Sequence, residues 1–242
     1  MIALLNRLYR AMFCRGGYGV HSPFVFDLLT SVIEERGSYY CYDRLRPVRL
    51  QIMQRADGIQ HRRREQTIGR MLQKYGLTES EHKLLFRLVN RFQPKIMYVA
   101  GSDFGLAPLY LTAFSNASAC TVFEPDSAVA TVASEYIVKY ATAPIDVSNN
   151  LNDMPDKLDF VVLNAFPESE RFSYHVFEQF LSHISEESVL VIAGINASRQ
   201  SRTTWKSVCN HPKVTVTIDL CRLGIVFFNP KLHRRTYRTV LL

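Results

Sequence analysis

The sequence predicts an α/β fold: a doubly wound, mostly parallel sheet ending in an antiparallel hairpin, preceded by a helical N-terminal extension. Three observations predict it. From Lys95 onward, short continuous apolar runs alternate with helix-like segments, as in strands buried on both faces of a parallel sheet. Near the end of the chain, "KVTVTID" and "LGIVFFNP" are separated only by Leu220 to Arg222, too short a link for a parallel crossover, so the two strands form a hairpin. Before Lys95 the apolar residues recur at helical spacing instead. The expected division is a helical cap over residues 1–94 and a sheet domain over residues 95–242.

Each element has its own signal. In "VHSPFVFDLLTSVIEE", Ser22 is an N-cap and Pro23 occupies the first helical position, followed by Phe24, Leu28, Leu29, Val32 and Ile33 on an apolar face. In "LTESEHKLLFRLVNRFQP", Thr78 and Glu81 have capping-box spacing, Leu84, Leu85, Leu88, Val89 and Phe92 share a face, and Pro94 ends the helix. The expected strands are "IMYVA", "ACTVFE", "LDFVVLN" and "SVLVIAG". Between and after them, "GLAPLYLTAFS", "DSAVATVASEYIVKY", "RFSYHVFEQFLSHI" and "RQSRTTWKSVCN" read as helices.

Composition narrows the function classes. The chain has 242 residues, 47% of them hydrophobic, enough for a substantial single core. Its longest apolar runs fall well short of the roughly 20 residues of a membrane span. At the N-terminus, Asn6, Arg7 and Arg10 interrupt what would be the apolar centre of a signal peptide, so a cytoplasmic protein is expected. Five scattered cysteines form no CxxC pair, which points to reduced thiols rather than a disulfide framework or a zinc knuckle. The net charge of +7 is uneven: residues 1–95 hold 17 Lys+Arg against 8 Asp+Glu, whereas residues 96–242 hold 12 against 14. The basic runs "QHRRRE" and "KLHRRTYRTVLL" suit phosphate, RNA or another acidic partner. Most such runs are solvated faces, no nucleic-acid module is apparent, and self-association stays open.

Ligands of doubly wound sheets sit beyond the carboxyl ends of the strands, where strand order reverses. The first strand runs into Gly101, Ser102, Asp103, Phe104 and Gly105, a turn in which glycine allows close backbone approach and a helix N-terminus offers free N–H groups. A tight turn without a ligand is the competing reading. The second strand ends in Glu124, placed to accept both hydroxyls of a ribose, or else to stand solvated beside a helix capped by Asp126 or Ser127. Asn164 and Ala165 stand at the end of the strand "LDFVVLN", and Ala193, Gly194 and Asn196 at the end of the strand "SVLVIAG". Asparagines there can hydrogen-bond a substrate but are poor bases, and Asn196 reads as a turn former. His21, next to the Ser22 cap, reads as a packing residue in preference to a general base.

These residues resemble a family. The glycine loop, the acid ending the second strand and the terminal hairpin look like the class I S-adenosylmethionine-dependent methyltransferases, with their Rossmann-like sheet. "GYGVHSPFVFDLLTSVI", "LLFRLVNRFQPK", "LDFVVLN" and "HPKVTVTIDLCRLGIVFF" are similar to a bacterial branch related to the catechol-type O-methyltransferases. The resemblance implies S-adenosylmethionine as cofactor and a cofactor-binding set of Gly101, Ser102, Asp103, Gly105, Glu124, Asn149 and Asn164. Within it, Glu124 matches the ribose acid and Asn149 lies near the adenine position.

The chain also departs from that pattern. Val99 stands where the family has an acid, Asn164 where it has an Asp, and Ala193 and Gly194 where it has paired acids. Asp103 adds a charge near the cofactor's carboxylate unless it caps the following helix. Mg²⁺ needs carboxylate oxygens, so no metal is expected, and no residue is assigned a catalytic role. The expectation is a metal-independent methyltransferase acting on a small-molecule or acidic acceptor, with Tyr18 and His21 of the cap as its cover. The alternatives are an inactive member kept as a binding module and, more weakly, a nicotinamide-dependent oxidoreductase, for which GxGxxG is lacking.

Overall fold

The computed structural model describes residues 9–12, 14, 16–17, 19–61, 64–164 and 174–241. Tyr18, Ala165 and the side chains of residues 60–64, which include most of "QHRRRE", lie outside what is described.

An eight-stranded sheet forms the centre, in the order β10-β8-β9-β7-β6-β3-β4-β5. Its strands are β3 (Ile96–Ala100), β4 (Ala119–Phe123), β5 (Ile145–Ser148), β6 (Leu158–Leu163), β7 (Ile184–Ala193), β8 (Val216–Asp219), β9 (Leu223–Phe227) and β10 (Arg235–Arg238). All pairs are parallel except those of β9, which is antiparallel to both β7 and β8. The expected hairpin is therefore present, with its second strand inserted between β7 and its first. A separate two-stranded ribbon pairs β1 (Gly58–His61) with β2 (Arg64–Thr67). The sheet is the doubly wound, mostly parallel, Rossmann-like one that the sequence predicts.

Among the described residues, the α-helices that accompany the sheet include α1 (Pro23–Leu28), α2 (Tyr40–Gln54), α3 (Ile68–Tyr75), α4 (Glu79–Phe92), α5 (Leu106–Thr112), α6 (Ser127–Tyr140), α7 (Tyr174–Phe180) and α8 (Arg199–Asn210). Ser22 caps α1 with Pro23 at its start, and a π-helical segment, Leu29–Ile33, continues it. The carbonyls at that end accept from Arg87, Nε to Val32 at 2.6 Å and Nη2 to Ile33 at 3.3 Å. Thr78 and Glu81 complete the capping box of α4, a contribution of about 1 kcal/mol.

Alternation along the strands sorts the core into two layers. Met97 and Val99 face a cluster with α1 and α4, through Val25, Leu28, Leu84 and Leu88. Tyr98, Val161 and Leu190 face the other side, against Phe177 and Phe180 of α7 and Trp205 and Val208 of α8. A third cluster joins α2 and α3 to α5 and α6. The expected boundary between residues 94 and 95 falls between α4 and β3, and the segments on its two sides share one hydrophobic cluster.

Two long-range features complete the frame. Residues 149–157, which carry only a 3₁₀ turn at Leu151–Asp153, lead from β5 past β4 and β3 to β6; this is shorter than the dozen or more residues usual for a parallel crossover. Beside β8, the Arg10 guanidinium is buried on Asp219, with Nη1 2.7 Å from Oδ1 and also bonded to the Asp219 and Thr239 carbonyls. No helix among the described residues is long and apolar enough to cross a membrane.

Candidate functional site

Strand order reverses beside β3, which has β4 on one side and β6 on the other, so the carboxyl ends of these three strands define the crevice. Backbone bonds fix the first turn. Gly101 N–H donates to the Phe123 carbonyl at 2.9 Å, and Asn164 N–H donates to the Ala100 carbonyl at 2.8 Å. Gly101 has φ +90°, and a Cβ there would stand 2.0 Å from the Asn164 carbonyl oxygen. Only glycine lets the two backbones cross this closely.

The next residue ties the turn to β4. Ser102 donates to Glu124 Oε2 through its N–H at 2.9 Å and its hydroxyl at 2.7 Å. The other oxygen, Oε1, accepts from Asp126 N–H at 3.3 Å. Asp126 caps α6 through Ala128 and Val129, as its position suggested, but Glu124 is fully enclosed instead of solvated beside it. Burial pushes the Glu124 carboxyl above its ordinary range, against the bonds from Ser102 and Asp126.

Asn164 completes the crevice from β6. It is 4% exposed, and its Nδ2 has no partner, an uncommon state for a buried amide.

The remaining members of the expected set sit differently. Gly105 is the N-cap of α5 at φ +90°, so Asp103 does not cap that helix. The Asp103 side chain is fully buried in a hydrogen bond with His82, Nε2 to Oδ2 at 2.7 Å. Asn149 is exposed, on an open groove of about 1130 Å³ with Ser127, Thr131, Ser148 and Asp153. It follows Ser148, whose carbonyl accepts from Glu124 N–H at 2.9 Å. Gly194 N–H bonds the Arg222 carbonyl at 2.8 Å, and Asn196 Nδ2 bonds the Cys221 carbonyl at 2.7 Å, a turn role as expected. Val99 is buried in the core beneath α4.

His82 and Arg49 were not singled out by the sequence. They lie 21 and 54 residues before Asp103, on α4 and α2, and nothing local marks them. The placement of His21 is corrected. Phe24, three residues on, packs against Phe92 and Phe227. These end α4 and β9 at the amino ends of the parallel strands, opposite Gly101, so His21 does not cover the crevice.

Two groups at these strand ends have hydrogen-bonding capacity left over. A carboxylate has about four acceptor sites, and Glu124 uses two on Oε2 and one, at 3.3 Å, on Oε1. Asn164 offers an unused donor. For a metal the donor set is poor: among the described residues no three His, Cys, Asp or Glu side chains converge.

No family model and no curated protein matches the chain in sequence. Solved structures do match. The O-methyltransferase from Bacillus cereus in complex with S-adenosylhomocysteine superposes with a TM-score of 0.56 at 13% identity, covering 84% of this chain and 97% of that one. The Podospora anserina methyltransferase PaMTH1, also bound to S-adenosylhomocysteine, gives 0.54 at 9% identity over 80% and 99%. TomG from Streptomyces achromogenes, an O-methyltransferase of tomaymycin synthesis in complex with S-adenosylmethionine, gives 0.51 at 13% identity over 77% and 98%. At such identities the likeness establishes the fold.

Proposed function

We propose that the chain binds S-adenosylmethionine at the carboxyl ends of β3, β4 and β6 and transfers its methyl group to a small-molecule acceptor without a catalytic metal. The observation that carries this reading is the Glu124 carboxylate, anchored on the Gly101–Ser102 turn at the point where strand order reverses. The fold shared with methyltransferases crystallised with S-adenosylhomocysteine or S-adenosylmethionine supports it.

In this reading the Gly101 turn lets the ligand approach the backbone, Glu124 accepts from a ribose hydroxyl at its remaining site, and Asn164 Nδ2 donates to the ligand. The bound cofactor supplies an electrophilic methyl carbon on a sulfonium. The chain's part is to hold an acceptor in line with it, since such transfer depends mainly on proximity and orientation. Val99, Asn164, Ala193 and Gly194 provide no carboxylate for a divalent cation, which supports metal independence. Because Glu124 and Ser102 are both enclosed, ligand entry requires the atoms over them to move aside. The basic surplus of the N-terminal third favours an acidic acceptor, and an odd number of scattered cysteines with no CxxC spacing favours a reducing, cytoplasmic setting.

Calorimetric titration with S-adenosylmethionine and S-adenosylhomocysteine tests the cofactor. Heats fitting one site per chain are expected, and folded protein giving none at millimolar ligand overturns the proposal. Transfer of labelled methyl groups to small molecules of a cell extract tests activity; binding without any transfer would leave a cofactor-binding module.

A further inference from the structure

Consecutive residues of the turn after β3 are pulled in opposite directions. Ser102 reaches β4 through Glu124, whereas the Asp103 carboxylate reaches α4 and the residues before it. Oδ2 of Asp103 accepts from His82 Nε2 at 2.7 Å and from Leu77 N–H at 3.3 Å. Oδ1 has no partner, and it lies against Gly76, where a Cβ would stand 2.6 Å from it. Asp103 and Phe104 both hold left-handed backbone, φ 51° and 55°, which side-chain-bearing residues keep only when their surroundings enforce it.

The enforcing contacts form a chain. His82 is fully buried and its ring stacks on Tyr110, with centroids 5.1 Å apart at 15°. Its Nδ1 lies 3.2 Å from Arg49 Nη1, which also donates to the Leu77 carbonyl at 2.8 Å. A guanidinium can only donate, so Nδ1 must present its lone pair and the ring proton sits on Nε2, directed at Asp103. Arg49 and Asp103 thereby favour the same tautomer, and Arg49 braces the ring from behind.

We infer that His82, with Arg49 behind it, is a positioning residue for the cofactor turn: the Arg49–His82–Asp103 chain holds the left-handed backbone that sets where Gly101 and Ser102 stand. This rests on the cofactor reading above. None of the three side chains needs to touch the ligand. Their effect is to fix the backbone that does.

The test uses the full chain, with S-adenosylhomocysteine as titrant and ¹⁵N-detected imidazole spectra as an independent readout. The wild-type spectrum should show a neutral His82 protonated at Nε2. His82→Phe keeps the ring and its stack but loses both bonds, and it should weaken S-adenosylhomocysteine affinity tenfold or more. His82→Gln, which can accept from Arg49 and donate to Asp103, should restore affinity to within threefold. A general packing role would instead scale with thermal stability and would not be rescued by glutamine. Should His82→Phe fail to fold, Arg49→Met decides: it removes the donor that braces Nδ1 and should weaken affinity threefold or more, and unchanged affinity overturns the inference. His82→Phe binding within threefold of wild type, or a wild-type ring protonated at Nδ1, overturns the inference. Wild-type protein that shows the Nε2–H spectrum yet binds no ligand overturns the cofactor reading alone.

Discussion

The carboxyl edge of the sheet is built in two dissimilar halves. Beyond β3 and β4, Gly101, Ser102 and Glu124 are interlocked by short bonds and enclosed, and a single added methyl at Gly101 would strike the Asn164 carbonyl. Beyond β6 and β7, Asn164 keeps an unused donor, and a Cβ at Gly194 would meet nothing nearer than Ala197 Cβ at 3.6 Å. The first half retains a fixed backbone shape and a carboxylate. The second half carries no carboxylate at Asn164, Ala193 or Gly194 and leaves room at its glycine. The same edge of the sheet thus pairs a backbone held by close packing with one that has room around it.

The contrast can be broken experimentally, most severely at Gly101. Gly101→Ala should cost about 3–5 kcal/mol of folding stability, from backbone collision and an unfavourable φ together. Chemical denaturation measures it, and a loss under about 1 kcal/mol would mean that the crossing of β3 and β6 relaxes easily. Glu124→Ala leaves both Ser102 donors without an acceptor. It should weaken S-adenosylhomocysteine binding by about 10- to 100-fold, matching roughly 1.5–3 kcal/mol for hydrogen bonds to a charged group, as read by calorimetry. Gly194→Ala carries only the left-handed backbone penalty, about 1–2 kcal/mol. A loss equal to that of Gly101→Ala would erase the difference between the halves.

Smaller effects sharpen the same comparison. The Glu124 carboxyl titrates above its unfolded value of 4.5, so the stability it contributes is fully present below that pH and is lost as pH rises through its elevated folded value. Denaturation series of wild type and Glu124→Gln should show the wild-type advantage shrinking over that interval and then levelling off. An advantage that grows with pH would contradict the burial. Smallest of all, methyl transfer should stay within about twofold when EDTA is added, since the β6 and β7 ends lack the carboxylates a hard cation requires. A rate restored only by Mg²⁺ would show that ligands come from elsewhere.

Much of the fold was legible because its signals are local. Ser22–Pro23 and Thr78–Glu81 mark helix starts within four residues, and the link at Leu220 to Arg222 can only turn a hairpin. The elements that escaped notice have weak local signals. β5 and β10 are four-residue edge strands, and β10 carries the exposed Arg235 and Arg238, as edges often do to avoid pairing with other chains. α2 contains Pro47, which ordinarily argues against a helix. At the site, the glycine spacing and Glu124 could be read directly, whereas the enclosure of Glu124 could not, because it depends on Ser102 lying across from it in the folded sheet. Asp103 was read as a neighbour of the cofactor. Its destination is fixed by His82, and no sequence pattern announces a contact between a helix and a left-handed turn.

The clasp between Arg10 and Asp219 has a consequence in time. The two residues are 209 positions apart, and at about 5–20 residues per second Arg10 is synthesised some ten to forty seconds before its carboxylate exists. Closing so long a loop early is entropically disfavoured, and nothing rewards it until β9 and β10 flank β8. On the ribosome, then, the first described turn of the chain must wait, its guanidinium in water, while the sheet is laid down beneath it. Burial of Arg10 comes at the end of folding, so its protection from solvent reports that the last strands have arrived.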